Sequence, residues 1–374
     1  MGARGFVLDM ADAATWPGER WVSPAAPGLS LRNAVRALSV FLGGTLVGSA
    51  GQFGFHELGH GSRAAAVGYR PFYGRGSPGS VDAVLADRRR GALTTHWLPF
   101  TLGSVFSGTG GYTAVFDDEA RFPILTDEVA GWGGPTAMGG LNFEMLLADG
   151  IEERSQAGGT STGMLALYAS SKLAARDYAP GSGPLNDITN ILDFYQEAGE
   201  DVSYEDIRSG GLVALFGSGL FYELVLRFGR SFTGGDTRFT AFRYGGFTLP
   251  NTAFYLNAEG TSYRVTSSWR SGSLVLPFGV ELPQSGSTGT EYTVGARYEG
   301  ERWHAAATTY LGQGLGTDLQ GGLRLGAGLW ATGGYARIDR KSLAGARVIG
   351  DLRNGKGNEW YLGLRVSPPR DRSR

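Results

Sequence analysis

Phe53-Gly54-Phe55-His56-Glu57-Leu58-Gly59-His60 is the stretch around which the chain reads most clearly. Two histidines four positions apart share one face of a helix, one turn from each other. Both imidazoles can then ligate a single metal ion, with Glu57 placed to take a proton from water that the metal activates. The chain holds only four histidines, and two of them fall here. The plain alternative is a His-Glu pair on a solvated helix face. Against it stands the segment just upstream, which carries no charge from Ala37 to Phe55. A helix that apolar lies in a core or in lipid, and ionisable groups at its end need a partner.

Working outward, Leu31 to Val67 reads as one long helical region, with Gly68 as its stop. Gly43, Gly44, Gly48, Gly51 and Gly54 would weaken a helix in water but allow close approach of neighbours in a membrane or a tight core. Residues 1–30, with Trp16, Pro17, Trp21, Pro24 and Pro27, read as an extended N-terminal arm. Pro71 to Arg90 reads as a loop or short β excursion. Thr94 to Phe116 is a second uncharged run, and Ala130 to Ala148 a third apolar segment, ended by Asp149-Gly150. Shorter helices are expected over Thr162–Tyr178 and Asn186–Glu197, and a fourth apolar helix over Gly210–Phe228.

Near Thr237 the period drops from 3.6 to 2. Tyr292, Val294, Ala296 and Tyr298 alternate with Glu291, Thr293, Gly295 and Arg297; Trp360, Leu362, Leu364 and Val366 alternate with Tyr361, Gly363 and Arg365. Eight or nine short strands are expected between 237 and 367. Tyr and Trp recur at strand ends, and the turns are short, which favours a membrane barrel over a soluble sandwich. The predicted fold class is therefore an α+β membrane protein, with a helical metallopeptidase-like region at 31–235 and an antiparallel β-barrel of about 8–10 strands at 236–370.

Composition narrows the chemistry. The chain has 374 residues, a net charge of −1 and no cysteine. Thiolate metal sites, disulfides and cysteine catalysis are excluded. Arg88-Arg89-Arg90 is too short a basic run for a nucleic-acid site, so no nucleic-acid partner is expected. Glycine, at 62 residues, lacks the period of collagen, and 42% hydrophobic residues are too many for a disordered chain. No signal peptide is visible at the N-terminus.

Two histidines do not complete a zinc site; a third protein ligand is needed. His96 and His304 read as polar tips, one beside Trp97 and one in a strand. Glu144 is the lone charge of its apolar segment, amid Leu141, Phe143, Met145, Leu146 and Leu147, where an unpaired carboxylate is costly. A metal would remove that cost, as would protonation or a hydrogen bond. Asp149 is the other candidate, with a solvated helix terminus as its alternative. Glu223 is third.

Phe55-His56-Glu57-Leu58-Gly59-His60, followed by Ala64-Ala65-Ala66, Gly68 and Phe72-Tyr73-Gly74, resembles the site-2 protease family of membrane-embedded zinc metallopeptidases. That family's second motif, an Asn followed by Asp-Gly on a later membrane helix, is similar to Asn142 with Asp149-Gly150. The prolines that the family carries between them are absent here, and the spacing is one residue short. The resemblance implies Asp149 as third ligand. Glu144, after Gly139-Gly140 and Asn142, sits where a thermolysin-like enzyme would place it. The likeness covers nothing after about residue 150.

The resulting expectation is a zinc metallopeptidase at a membrane. Zn²⁺ would sit on His56, His60 and Glu144 or Asp149, Glu57 would be the general base, and Asn142 would help hold a protein or peptide substrate. The lipid bilayer is the other expected partner, in the outer membrane of a Gram-negative bacterium or, alternatively, the inner membrane. The competing reading is an outer-membrane pore or structural barrel with a helical plug and no catalysis.

Overall fold

The computed structural model describes residues 2–22, 28–66, 69–107, 111–116, 133–157, 159–181, 186–287, 289–312, 314–326, 329–338 and 357–366. The helical half comprises α1 (Gly2–Trp21), α2 (Leu31–Ala66), α3 (Val81–Arg89), α4 (Trp97–Ser107), α5 (Gly133–Ala157), α6 (Leu165–Asp177), α7 (Asp187–Ala198), α8 (Tyr204–Phe216) and α9 (Gly219–Gly234). A two-stranded sheet pairs β1 (Phe72–Arg75) with β2 (Gly111–Ala114), and a second one pairs β3 (Thr160–Ser161) with β4 (Arg238–Phe239).

α2 is the axis of this half, as its uncharged run predicted. Its glycines let neighbours touch its backbone. A Cβ on Gly43 would lie 2.2 Å from the Ala14 carbonyl oxygen of α1, and one on Gly44 would lie 2.3 Å from that of Gly163. One on Gly59 would lie 2.2 Å from the Gly139 carbonyl oxygen of α5. Close helix crossing at small residues explains why so many glycines persist inside one helix.

Three expectations change. Residues 2–21 are not an extended arm but α1, held along α2 by Val7, Leu8 and Ala11, all buried. Trp16, Pro17 and Trp21, which suggested an arm, lie toward the end of that helix, with Pro17 inside it; Pro24 and Pro27 fall outside the described residues. Asp149-Gly150 does not end α5, which runs on to Ala157. Gly150 is the crossing point with α1, where a Cβ would lie 2.7 Å from Leu8 Cδ1. The predicted helix 210–228 is two helices, α8 and α9, bent by 55°. At the break the Ser218 hydroxyl donates to the Ala214 and Thr252 carbonyls.

The strand-rich half is one antiparallel ten-stranded sheet. It contains β5 (Arg243–Tyr244), β6 (Phe247–Thr248), β7 (Asn251–Asn257), β8 (Gly260–Ser271), β9 (Leu274–Gly286), β10 (Glu291–Glu299), β11 (Trp303–Leu311), β12 (Leu315–Arg324), β13 (Leu329–Ile338) and β14 (Gly357–Val366). The order is β14-β13-β12-β11-β10-β9-β8-β6-β5, with β7 also on β8. The barrel expectation is corrected in one respect: among the described residues no ladder joins β14 to β5, so the sheet is not closed. α1 lies against β14, α2 along α1, and α9 on α2.

The alternation has the predicted sense. Tyr292, Val294, Leu319, Leu323, Trp360, Leu362 and Leu364 are exposed, while Glu281, Glu291, Thr293 and Asp318 are buried. The polar side is packed rather than open: Arg264 pairs with Asp149 and Arg297 with Glu153, both on α5. α2 also carries exposed Leu31, Val35, Leu38, Leu42 and Leu46 along one face, and by length and composition it could cross a membrane.

Candidate metal centre

Three elements meet at the site. α2 brings His56, Glu57 and His60, all buried. α5 crosses beneath them, and a Cβ on Gly140 would lie 2.6 Å from His56 Nε2 and from His60 Cε1. Only glycine lets the two rings lie against that backbone. α7 supplies Asp187 from its first turn. Asn186 caps that helix by accepting from the Thr189 amide at 2.9 Å, and Ile188 and Ile191 bury its inner face. The Tyr195 hydroxyl lies 2.8 Å from the carbonyls of Asn257 and Gly260, which anchors α7 to the β7–β8 turn.

His56 Nε2 lies 3.1 Å from Asp187 Oδ2, His60 Nε2 lies 3.4 Å from the same oxygen, and the two Nε2 atoms are 2.9 Å apart. Such a triangle suits three ligands of one ion. Tetrahedral ligands about 2.0–2.1 Å from zinc lie about 3.3 Å from each other. His56, His60 and Asp187 are, among the described residues, a group that could hold a metal ion.

The opposite ring nitrogens are already engaged. His56 Nδ1 lies 2.6 Å from Glu144 Oε1, and His60 Nδ1 lies 2.8 Å from the Thr136 carbonyl. A carbonyl can only accept, so His60 carries its proton on Nδ1, and the Glu144 carboxylate favours the same for His56. With the imidazoles neutral, both Nε2 lone pairs would point at each other and at a carboxylate. A single proton satisfies one such contact; a divalent cation satisfies all three. An acceptor behind each ligating histidine is also the usual outer arrangement of metal sites. That arrangement extends further: Gln52 donates to Glu144 and accepts from the Ser170 hydroxyl at 2.6 Å.

Burial would push the Asp187 pKa up, but the charge of His60 and hydrogen bonds from both imidazoles hold it well below the usual carboxylate range. With no metal bound, Asp187 is thus an anion beside protonated imidazoles, which is also the charge state a metal ligand would need. Glu57 lies within electrostatic reach of His56, His60 and Asp187, and the Thr113 hydroxyl of β2 is 2.8 Å from its Oε2.

The sequence-derived residues divide accordingly. His56, Glu57 and His60 come together. Glu144 is at the site but behind His56, on the nitrogen that faces away from Asp187. Asp149 is elsewhere: its carboxylate accepts from Arg264 at 3.1 Å and from the Tyr255 hydroxyl. Asn142 does not face a substrate; it clamps the Leu256 backbone of β7, donating to the carbonyl at 2.6 Å and accepting from the amide at 3.0 Å. Glu223 accepts from the Phe242 amide, outside the group. Asp187, Thr113, Thr136 and Gln52 went unflagged. Gln52 alone left a signal, as a polar residue one turn before His56 in an uncharged run. No protein-family model matches the chain, and neither a curated protein nor a solved structure is detectably similar to it.

Proposed function

We propose that this chain is a membrane-associated zinc metallopeptidase whose ligands are His56, His60 and Asp187. The observation that carries the reading is the pair of Nε2 atoms 2.9 Å apart beside Asp187, with both Nδ1 atoms already engaged. A bound Zn²⁺ supplies the Lewis acid that activates water and polarises a carbonyl. Glu57 accepts the proton as the water oxygen adds to the peptide carbonyl carbon. It returns that proton to the amide nitrogen as the C–N bond breaks. Thr113 holds the Glu57 carboxylate in place.

Metal analysis and peptide hydrolysis on three proteins test this. The wild type is expected to hold about one zinc and hydrolyse peptide. Asp187→Ala should lose metal and activity together. Glu57→Gln should keep zinc and lose about 10²–10⁴-fold in rate, the range of general-base catalysis. Zinc retained in full by Asp187→Ala would sink the ligand assignment, and full activity in Glu57→Gln the mechanism.

The exposed apolar faces of the sheet and of α2 support a bilayer as the surrounding medium, in our reading the outer membrane of a Gram-negative bacterium. Arg at Val294 or Leu323 should cost about 2–4 kcal/mol if the position lies at the bilayer midplane, and should block membrane assembly. Recovery of the wild type as a soluble monomer without detergent would overturn the placement. The packed concave side, with α5 paired to the inner face of the sheet, counts against a water-filled pore.

A further inference from the structure

Tyr178 ends α6 as its C-cap residue. Its ring lies parallel to that of His56, with centroids 5.4 Å apart and planes inclined by 6°. It is half-buried and followed by the exposed Ala179 and Pro180, so the ring that covers His56 is itself in part open to solvent. Its phenol is within electrostatic reach of Glu57, Glu144 and Asp187.

Its hydroxyl differs from those of three other tyrosines near the site. Tyr168 donates to Glu152, Tyr195 reaches two carbonyls of the β7–β8 turn, and Tyr255 donates to Asp149. Among the described residues, the Tyr178 hydroxyl has no hydrogen bond; only its backbone carbonyl accepts one, from Tyr204. Here a phenol beside His56 keeps its donor free of any partner among the described residues.

We propose that Tyr178 is a further catalytic residue: its phenol donates a hydrogen bond to the peptide carbonyl oxygen as that oxygen becomes negative. The inference rests on the peptidase reading. As water adds to the carbonyl carbon, the C=O π pair moves onto oxygen. The phenol keeps its proton and stabilises that charge, and the pair returns when the C–N bond breaks. A fixed donor aimed at developing charge acts mainly on the transition state.

Tyr178→Phe keeps the ring and its stack on His56 but removes the donor. Metal content should be unchanged and KM should move little, while kcat falls about 10²–10³-fold, as for loss of one oxyanion donor. A second readout does not need turnover. In the cobalt(II)-loaded protein, the visible spectrum reports binding of a dipeptide phosphonate, a tetrahedral anion. Tyr178→Phe should bind it at least about tenfold more weakly, a single lost charge-assisted hydrogen bond. Unchanged kcat and phosphonate affinity would overturn the proposal. So would loss of metal in Tyr178→Phe, since the residue would then serve only to position His56. A wild type without metal or hydrolysis would overturn the peptidase reading itself, an outcome separate from either.

Discussion

The middle and the C-terminal end of α5 hold carboxylates in opposite ways. At its C-terminal end each has a cation from the chain: Asp149 pairs with Arg264 at 3.1 Å, Glu152 with Lys172 at 2.9 Å, and Glu153 with Arg4 at 2.9 Å. At its middle Glu144 meets an imidazole and an amide, and the nearby Asp187 meets two imidazoles. Buried anions need compensation. The C-terminal end is closed by the protein's own cations. The middle gathers lone pairs and negative charge around a point that a metal would complete.

The comparison can be broken most forcefully at the closed end. Asp149→Ala removes the ion-pair partner of Arg264 among the described residues, whose Nε already lacks one. The expected cost is about 3–5 kcal/mol of stability, read by denaturant unfolding, because a buried charge is left uncompensated. Metal content should not change. Loss of metal in that variant would restore Asp149 as a ligand and erase the distinction.

Glu144→Ala sharpens the open side of the comparison. It removes the acceptor that fixes the His56 ring, without removing a ligand. Zinc affinity, measured by chelator competition, should fall about 10–100-fold, the usual effect of losing such a supporting residue. An unchanged affinity would show that His56 is oriented by α5 and Tyr178 packing alone. The smallest effect is expected from Tyr255→Phe. It deletes one hydrogen bond to Asp149 while Arg264 remains, and should cost about 1 kcal/mol with no change in metal.

Much of the fold was legible because periodicity survives in one dimension. The long helix 31–66, the short helix 187–198 and the alternation from 237 onward all follow from spacing. Local cues failed where packing overrode them. Gly150 looked like a helix stop and is instead the place where α1 crosses α5. The prolines near residue 20 looked like an arm, yet α1 gains its order from α2. For Glu144 the reasoning about cost was sound, but the compensating partner is a histidine ring rather than an ion.

The sequence by itself determined the His56–Glu57–His60 constellation, because residues four apart on a helix share a face whatever surrounds them. It also determined which side of the sheet is apolar, since strand alternation fixes that at period 2. Only the tertiary structure brought a third candidate ligand, Asp187, to the two histidines. Asp187 lies 131 residues from His56 and, read locally, is an ordinary acid in the first turn of a helix. Its place beside the histidines depends on Tyr195 anchoring α7 to the β7–β8 turn, and on glycines that let α2 and α5 touch. Such long-range contacts follow from how the elements pack, and no local pattern encodes them.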